Sequence, residues 1–401
     1  MFHSTETVQV RSYRAASSNR HPIGHRPFGL PAKRRCGAAA VFGLVLMTSL
    51  VVLVAVTLDF SYVHVGETEM TRTADSAAMA GCWDLFEQKK GRSVVIPQQS
   101  QVHSEANRYA QLNPVGNDAL SLQQIGDLEL GTYDANQPGV LDQTNPENYN
   151  AVRVTLRRQA AANGELPLFF GGITGRDTQS LHTKATAAML TAIDGFYVPE
   201  AGDENLNILP FALDLPTWLE TIAGNTDDKY IGLTSSVARG SDGVCETNLY
   251  PKVIEGAAGD RGTVDIGGNN NSTTDIARQI IYGISRQDMM ELGKPLALDG
   301  GAIELNGDTG ISAAVKDELA SIIGQTRCIP IYTKVTGNGN NAMFTIVRFE
   351  GVRICAVKLT GKGSGKHLTI QPANVVCRNA RIDYTGTSSS SHLFAPVMLV
   401  D

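Results

Sequence analysis

The sequence has few residues of the kinds that build catalytic or metal-binding centres. Only eight of its 401 residues are histidine and six are cysteine. No CxxC or CxxH spacing occurs, which argues against a structural zinc site or a thioredoxin-type redox centre. The GxSxG and HExxH motifs of common hydrolases and the oxygen-ligand spacing of EF-hands are also missing. We therefore predict a protein that is not an enzyme and that needs no cofactor or metal.

Aromatic residues are scarce as well, at 6%, whereas the chain has 40 glycines. This composition predicts many turns. Seven of the basic residues precede residue 36, so the part of the chain after Leu58 holds 27 basic and 39 acidic side chains. A surface with that acidic excess repels phosphate backbones. We predict no nucleic-acid partner.

What the sequence does contain is one long apolar segment. Residues 36–58 read CGAAAVFGLVLMTSLVVLVAVTL and hold no charge. As a helix the segment would extend about 34 Å, which is enough to cross a bilayer. A cleavable signal usually has a shorter apolar region and a small-x-small cleavage site. A buried core helix is rarely apolar on every face. We therefore predict a transmembrane helix over residues 36–58.

The charges beside this segment predict its orientation. Lys33, Arg34 and Arg35 come directly before it, and Asp59 follows its last residue, Leu58. By the positive-inside rule, the N-terminal end is cytoplasmic and the chain after about residue 59 is extracytoplasmic. Residues 1–35 are polar and show no apolar period, so we predict a disordered basic cytoplasmic tail.

The helix need not end at the membrane surface. Residues 59–90 contain no proline and only two glycines. A weak stripe at three-to-four-residue spacing predicts an extended helix laid against its own globular domain or against a partner protein. The candidate contact residues on this stripe are Tyr62, Val65, Thr73, Ala77 and Ala80.

The remaining sequence predicts an α+β fold that is rich in strands and has a few short helices. A helix is expected over 100–113, where the spacing of apolar residues fits the helical period of 3.6. Strands are expected over 127–134, 150–158 and 182–193, where apolar and polar residues alternate. Two further helices are expected from Ser272 and from Ile311, with capping residues at their ends. We divide this part of the chain into a stalk with a small sheet (59–200), a loop-rich mixed region (201–327) and a β-rich lobe (328–401).

Five cysteines lie after the apolar segment, and an odd number cannot all pair. Cys355 and Cys377 fall in neighbouring strand-like segments. A bridge between them is plausible in an oxidising compartment, and free buried thiols are an equal alternative.

Several segments together resemble one protein family. The run from Arg34 through Gly37 to Phe42, the apolar segment, Asp59 and then TRTADSAAMAG are similar to the N-terminus of TadG-like proteins. The segments NAVRVTLRR, LPLFFGGITG and TKATAAML are similar to the continuation of that domain. These proteins belong to the tight-adherence (Flp-type) pilus systems of bacteria, and the resemblance covers roughly residues 33–195. It implies a single-pass protein of the bacterial inner membrane that acts with other pilus-assembly or envelope proteins in surface adherence.

The N-terminal processing signal departs from that of a pilin. Type IV prepilins are cut after a glycine, and the mature chain commonly has glutamate at its fifth position. Counting from Gly37, that position holds Phe42. This predicts a permanent anchor rather than a polymerising subunit. A pseudopilin within the fibre, and an envelope-anchored enzyme or carbohydrate-binding module with its site in 201–401, are the alternative functions.

Overall fold

The structure is a computed structural model that describes residues 36–90, 95–233, 235–250, 261–267, 272–337, 339–361, 365–383 and 390–400. The chain divides into two compact units, Met1–Val54 and Ala55–Asp401. Lys33, Arg34, Arg35 and the predicted tail of residues 1–35 lie outside the described residues.

The helices that the structure describes are α1 (Cys36–Lys89), α2 (Gln99–Leu112), α3 (Gly171–Thr174), α4 (Leu215–Ile222), α5 (Thr273–Tyr282), α6 (Arg286–Glu291) and α7 (Lys316–Ser321). The strands are β1 (Leu128–Gly131), β2 (Ala151–Arg158), β3 (Leu166–Pro167), β4 (Thr178–Gln179), β5 (Leu181–Ala188), β6 (Ile193–Phe196), β7 (Phe211–Asp214), β8 (Tyr230–Gly232), β9 (Val237–Arg239), β10 (Thr247–Tyr250), β11 (Gly262–Val264), β12 (Leu296–Ala297), β13 (Ile303–Asp308), β14 (Thr326–Thr336), β15 (Ala342–Lys358), β16 (His367–Pro372), β17 (Val375–Val376), β18 (Ala380–Ile382), β19 (Leu393–Phe394) and β20 (Met398–Leu399). The α+β class with a long N-terminal helix is therefore confirmed.

The first helix, α1, is 54 residues long and contains the whole apolar segment. No proline interrupts it, so the backbone hydrogen bonds continue past Asp59. Large apolar side chains between Val41 and Leu58 are exposed around the helix rather than along one stripe. Within the described residues, α1 is the helix that is long and apolar enough to cross a membrane. A helix that is apolar on every face needs an apolar surrounding, and lipid provides one.

The second half of α1 packs on a four-stranded sheet of order β1-β2-β5-β20, in which each neighbouring pair is antiparallel. Small side chains on one face of α1, among them Ala74 and Ala77, are fully buried in this core. A Cβ added at Gly81 would lie only 3.2 Å from Val152 of β2. Small residues thus let the helix approach the sheet closely, and Ala77 of the predicted stripe faces the protein's own domain.

Enlarging a residue of this stripe should destabilise the domain. Ala77→Leu forces extra carbon atoms between α1 and the sheet, and we expect it to lower the free energy of unfolding by about 1–3 kcal/mol. Met79→Leu, on the exposed side of the same turn, is the matched control and should change stability by less than about 0.5 kcal/mol. Urea unfolding of the full chain in detergent, followed by circular dichroism, measures both. Equal stability of the two variants would show that α1 does not pack as described.

The larger sheet has the order β10-β16-β15-β13-β11-β7-β14, and β14 also pairs with β15. Strands β15, β13, β11, β7 and β14 therefore form a closed ring of pairings, and β16 and β10 extend from β15. The pair β7–β14 is parallel, whereas the other pairs of the ring are antiparallel. One apolar cluster, with Ala212, Leu305 and Phe344, belongs to this ring, and a second contains Trp218 of α4 and Leu319 of α7.

The structure connects the regions that the sequence suggested as separate. Strands β7, β11 and β13 come from residues 201–327, and β15 and β16 come from residues 328–401, yet they share one sheet. Strand β20 returns from the C-terminal region to pair with β5 of the first sheet. The segments 201–327 and 328–401 therefore both contribute strands to the same sheet.

Candidate functional site

Of the residues predicted to set the membrane topology, Gly37, Phe42, Leu58 and Asp59 lie in α1. The side chains of Phe42 and Leu58 are exposed, and a Cβ added at Gly37 would meet no atom within 4 Å. Asp59 is different, because it is buried. Its carboxylate accepts hydrogen bonds from the backbone N–H groups of Phe169 (2.9 Å) and Phe170 (3.1 Å). The first polar residue after the apolar segment therefore ties α1 to the segment that follows β3.

The candidate contact residues of the stalk point in different directions. Thr73 and Ala77 are buried against the domain, and the Thr73 hydroxyl donates to the carbonyl oxygen of Asn113 at 2.9 Å. Tyr62 is half-buried, and its ring packs on another aromatic side chain. Val65 is exposed, and Ala80 is half-buried at the edge of a surface hollow. Only the last two positions are thus placed to meet a partner.

The hollow beside Ala80 combines α1, α2 and the segment before β20. Trp83 and Met79 of α1 line it together with Tyr109 of α2. Trp83 is 46% exposed, which is unusual for so large an apolar side chain. Other lining residues are Pro396 and Val397 on the apolar side and Asp84, Glu87 and Glu105 on the acidic side. Exposed aromatic residues in a concave surface with a charged edge are typical of protein-binding surfaces.

The periodicity of the sequence indicated Ala80 but not the aromatic residues of this hollow. Trp83 could have been found from the sequence, because it lies four residues after Met79 and therefore on the same helical face. Tyr109, Pro396 and Val397 could not, because they reach the hollow only through tertiary folding.

A second, more polar hollow contains Lys89 at the end of α1. Burial lowers the pKa of Lys89 to about 8. Its Nζ donates to the carbonyl oxygens of Glu147 and Tyr149, each at 2.7 Å. Two acceptors thus hold the ammonium group, and Lys89 ties the end of α1 to the segment before β2.

The most deeply buried carboxylate of the ring, Glu350 in β15, holds the segment before β19. It accepts backbone hydrogen bonds from Ser391 (3.0 Å) and His392 (3.1 Å), and Arg348 donates to it at 3.3 Å. Burial raises the pKa of Glu350 to about 7 in spite of these bonds. Burial also lowers the pKa of His392 to about 4. Both side chains are shielded from solvent, so we interpret their contacts as part of the packing that holds the segment before β19.

The pKa shifts of Glu350 and His392 have opposite effects on how stability depends on pH. Substituting one of the two residues should separate the two effects. A raised carboxyl pKa makes stability fall as pH rises from about 4.5 to about 7, and a lowered histidine pKa makes it rise from about 4 to about 6.5. Relative to the parent chain, His392→Gln loses the second effect, so between pH 5 and pH 7 the stability of the variant should change by about 2 kcal/mol less favourably than that of the parent. Urea unfolding at both pH values measures the difference. Glu350→Gln should differ from the parent in the opposite direction, and parallel profiles for His392→Gln and the parent would contradict the assignment.

The possible bridge between Cys355 and Cys377 is not formed, since both are free thiols. Cys355 lies in the ladder between β15 and β16, and its Sγ donates to Gln371 Oε1 at 3.1 Å. Cys377 comes after the end of that ladder at Pro372 and lies in the same apolar cluster as Cys328 of β14. The strand-like segments that contain Cys355 and Cys377 are neighbours in the sequence, but the fold does not place the two thiols opposite each other. Within the described residues, no group of three or more His, Cys, Asp or Glu side chains is placed to hold a metal ion.

Two family models match the N-terminal part of this chain. Residues 37–84 match the model described as Flp pilus-assembly TadE/G-like, and residues 76–187 match the model described as Tad-like Flp pilus-assembly. The matches extend from the apolar part of α1 to β5, and they confirm the resemblance inferred from the sequence. Neither the curated proteins nor the solved structures give a significant match.

Proposed function

We propose that this protein is a membrane-anchored, non-catalytic accessory component of a Tad (Flp) pilus that supports surface adherence, because residues 37–187 match two models of Flp pilus-assembly proteins. The family models support a role in pilus assembly. The observation that carries the finer proposal is the continuity of α1, whose apolar part leads without a break into the packed helix of the domain. A force on the domain would therefore be transmitted directly to the anchor.

In this proposal the anchor crosses the bacterial inner membrane with its N-terminus in the cytoplasm. Lys33, Arg34 and Arg35 supply the cytoplasmic charge, and the chain after about residue 59 is extracytoplasmic. The surrounding partners are the lipids of that membrane and other pilus-assembly or envelope proteins.

The hollow around Trp83 is the surface that we propose for contact with another pilus-assembly protein. Its α1 residues Met79 and Trp83 are exposed whereas Ala77 is buried, so the hollow remains available when the helix packs on its own sheet. Aromatic side chains in such positions commonly contribute much of the binding energy of an interface. Val65 lies on the exposed surface of the same helix.

The experiment is a comparison of chromosomal variants in the native host. A deletion of the gene should reduce surface fibres and attachment, and the wild-type gene should restore them. Trp83→Asp should fail to restore them although the protein reaches normal levels in the membrane, because a charge replaces the aromatic contact. Ile125→Asp, at another exposed apolar position, is the matched control and should restore both. Normal fibre number and attachment in the deletion strain would refute the proposal.

The second candidate function is a pseudopilin incorporated in the fibre. The continuous helix that begins at the apolar segment favours it, and Phe42 at the position of the usual glutamate speaks against it. It predicts loss of the residues up to Gly37 and recovery of the chain with sheared fibres.

A further inference from the structure

A short segment after β3 exposes three large apolar side chains within five residues. Phe169 is 71% exposed, and Phe170 and Ile173 are also on the surface. The segment is short and ordered, since Gly171–Thr174 form the single turn α3 and Gly175 ends it with a left-handed backbone (φ 74°). Exposed apolar side chains grouped in this way usually mark an interaction surface.

The segment is held against α1 next to Asp59 and Tyr62. Both backbone N–H groups at its start, those of Phe169 and Phe170, are held by the Asp59 carboxylate. The ring of Phe169 also packs on Tyr62, with 4.8 Å between the ring centroids. The two contacts join positions more than 100 residues apart in sequence, so they are features of the tertiary fold.

Two residues of α1 that flank Asp59 also have exposed apolar side chains. Leu58 is exposed, and Phe60 is 75% exposed. At about 1.5 Å of rise per residue, both lie within about one and a half ångströms of Asp59 along the helix axis. The chain passes from here directly into the apolar segment of α1. The exposed apolar side chains of the segment and of α1 at Leu58 and Phe60 therefore lie near the level at which the apolar run of α1 ends.

We propose that residues 169–173 insert into the extracytoplasmic headgroup region of the membrane that α1 crosses. This inference rests on the anchoring role of α1 in the proposed function. Aromatic side chains favour the membrane–water interface, where a ring can be buried next to polar groups. The exposed Arg176, three residues after Ile173, follows the apolar group and can face lipid phosphates.

Asp59 acts in this arrangement as a positioning residue. A carboxylate at the edge of a bilayer is costly when it lacks partners. Here it is buried within the protein and satisfied by two backbone donors, and it holds the apolar segment beside the helix at the same time. A lipid surface fits these observations better than a protein partner, because the apolar side chains belong to the end of the domain at which the chain enters its membrane segment.

The test uses the full chain in phosphatidylcholine–phosphatidylglycerol vesicles whose acyl chains are brominated near the glycerol end. In Phe169→Trp, the new tryptophan should lie within reach of the bromine atoms, so its emission, after subtraction of the parent protein, should fall about twofold relative to unbrominated vesicles. The matched control is Ile125→Trp. Ile125 is also exposed, but it lies beside Gln99 and His103 of α2, and the residue before α2 hydrogen-bonds to Gln88 near the far end of α1. Its emission should be unchanged.

Adding Asp59→Ala to Phe169→Trp should restore most of the lost emission while the chain still floats with the vesicles, because the segment is then no longer held at the membrane. Unquenched emission of Phe169→Trp in a chain that floats with the vesicles would overturn this inference and leave the anchor intact, and a protein partner would become the better explanation for the apolar segment. A chain that does not float would overturn the anchor and this inference together.

Discussion

Two arginines placed in the middle of the apolar segment should remove the protein from the membrane. Leu46→Arg combined with Leu50→Arg puts both charges near the centre of residues 36–58, where each costs about 2.5–3.5 kcal/mol of insertion free energy. The combined cost of about 5–7 kcal/mol is comparable to the whole gain of such a segment, since each large apolar residue contributes only about 0.3–0.6 kcal/mol. We expect most of the protein to appear in the soluble fraction or to be degraded, as measured by carbonate extraction and immunoblotting of cell fractions.

The control keeps the number of charges and changes only their depth. Gly37→Arg combined with Leu58→Arg places the two arginines at the ends of the segment, where long side chains reach the headgroups at little cost. This variant should remain in the membrane fraction. If the central arginines were tolerated as well as the terminal ones, the segment would not cross the membrane as an isolated helix.

The second large effect concerns the buried ion pair of the β-ring. Asp214 ends β7 and accepts from Arg261 Nε at 2.8 Å, and both residues are buried. Burial alone would raise the pKa of Asp214, but the charge of Arg261 and bonds from Thr217 outweigh it and hold the pKa below its ordinary value. Asp214→Ala leaves the guanidinium of Arg261 buried without its carboxylate. We expect a loss of about 3–5 kcal/mol in the free energy of unfolding.

Urea unfolding at pH 7 measures this loss, with Glu105→Ala as the matched control. Glu105 forms an ion pair with Arg108 on the surface of α2, and such pairs contribute little. Its removal should therefore leave the unfolding midpoint nearly unchanged. Similar midpoints for the two variants would show that the pair of Asp214 and Arg261 is open to solvent.

Local sequence patterns predicted local structure well. The residue before a proline ends α2, since Leu112 is the last helical residue and Asn113-Pro114 follow. The side chain of Ser272 accepts from the backbone N–H of Asp275 and caps α5, as its position suggested. The long hairpin of β14 and β15 follows from alternating apolar residues on both sides of a Gly/Asn turn. Each of these features depends on neighbouring residues alone.

Contacts between distant segments could not be predicted in the same way. The ring closes because β7 pairs in parallel with β14, more than 100 residues later in the chain, and no short pattern encodes such a pairing. Asp59 was recognised only as a charge at the end of an apolar run. Its role in holding Phe169 and Phe170 depends on the fold of the whole N-terminal region.

The central claim is that α1 is a permanent anchor, and the mass of the N-terminal peptide of the mature chain tests it most directly. The protein would be purified from membranes of the native host, with sheared surface material analysed beside it. The account predicts that the peptide preceding Gly37 is retained and that the chain is found in membranes only. A chain that begins at Ala38 in the sheared material would contradict it and would make the protein a subunit of the fibre despite Phe42.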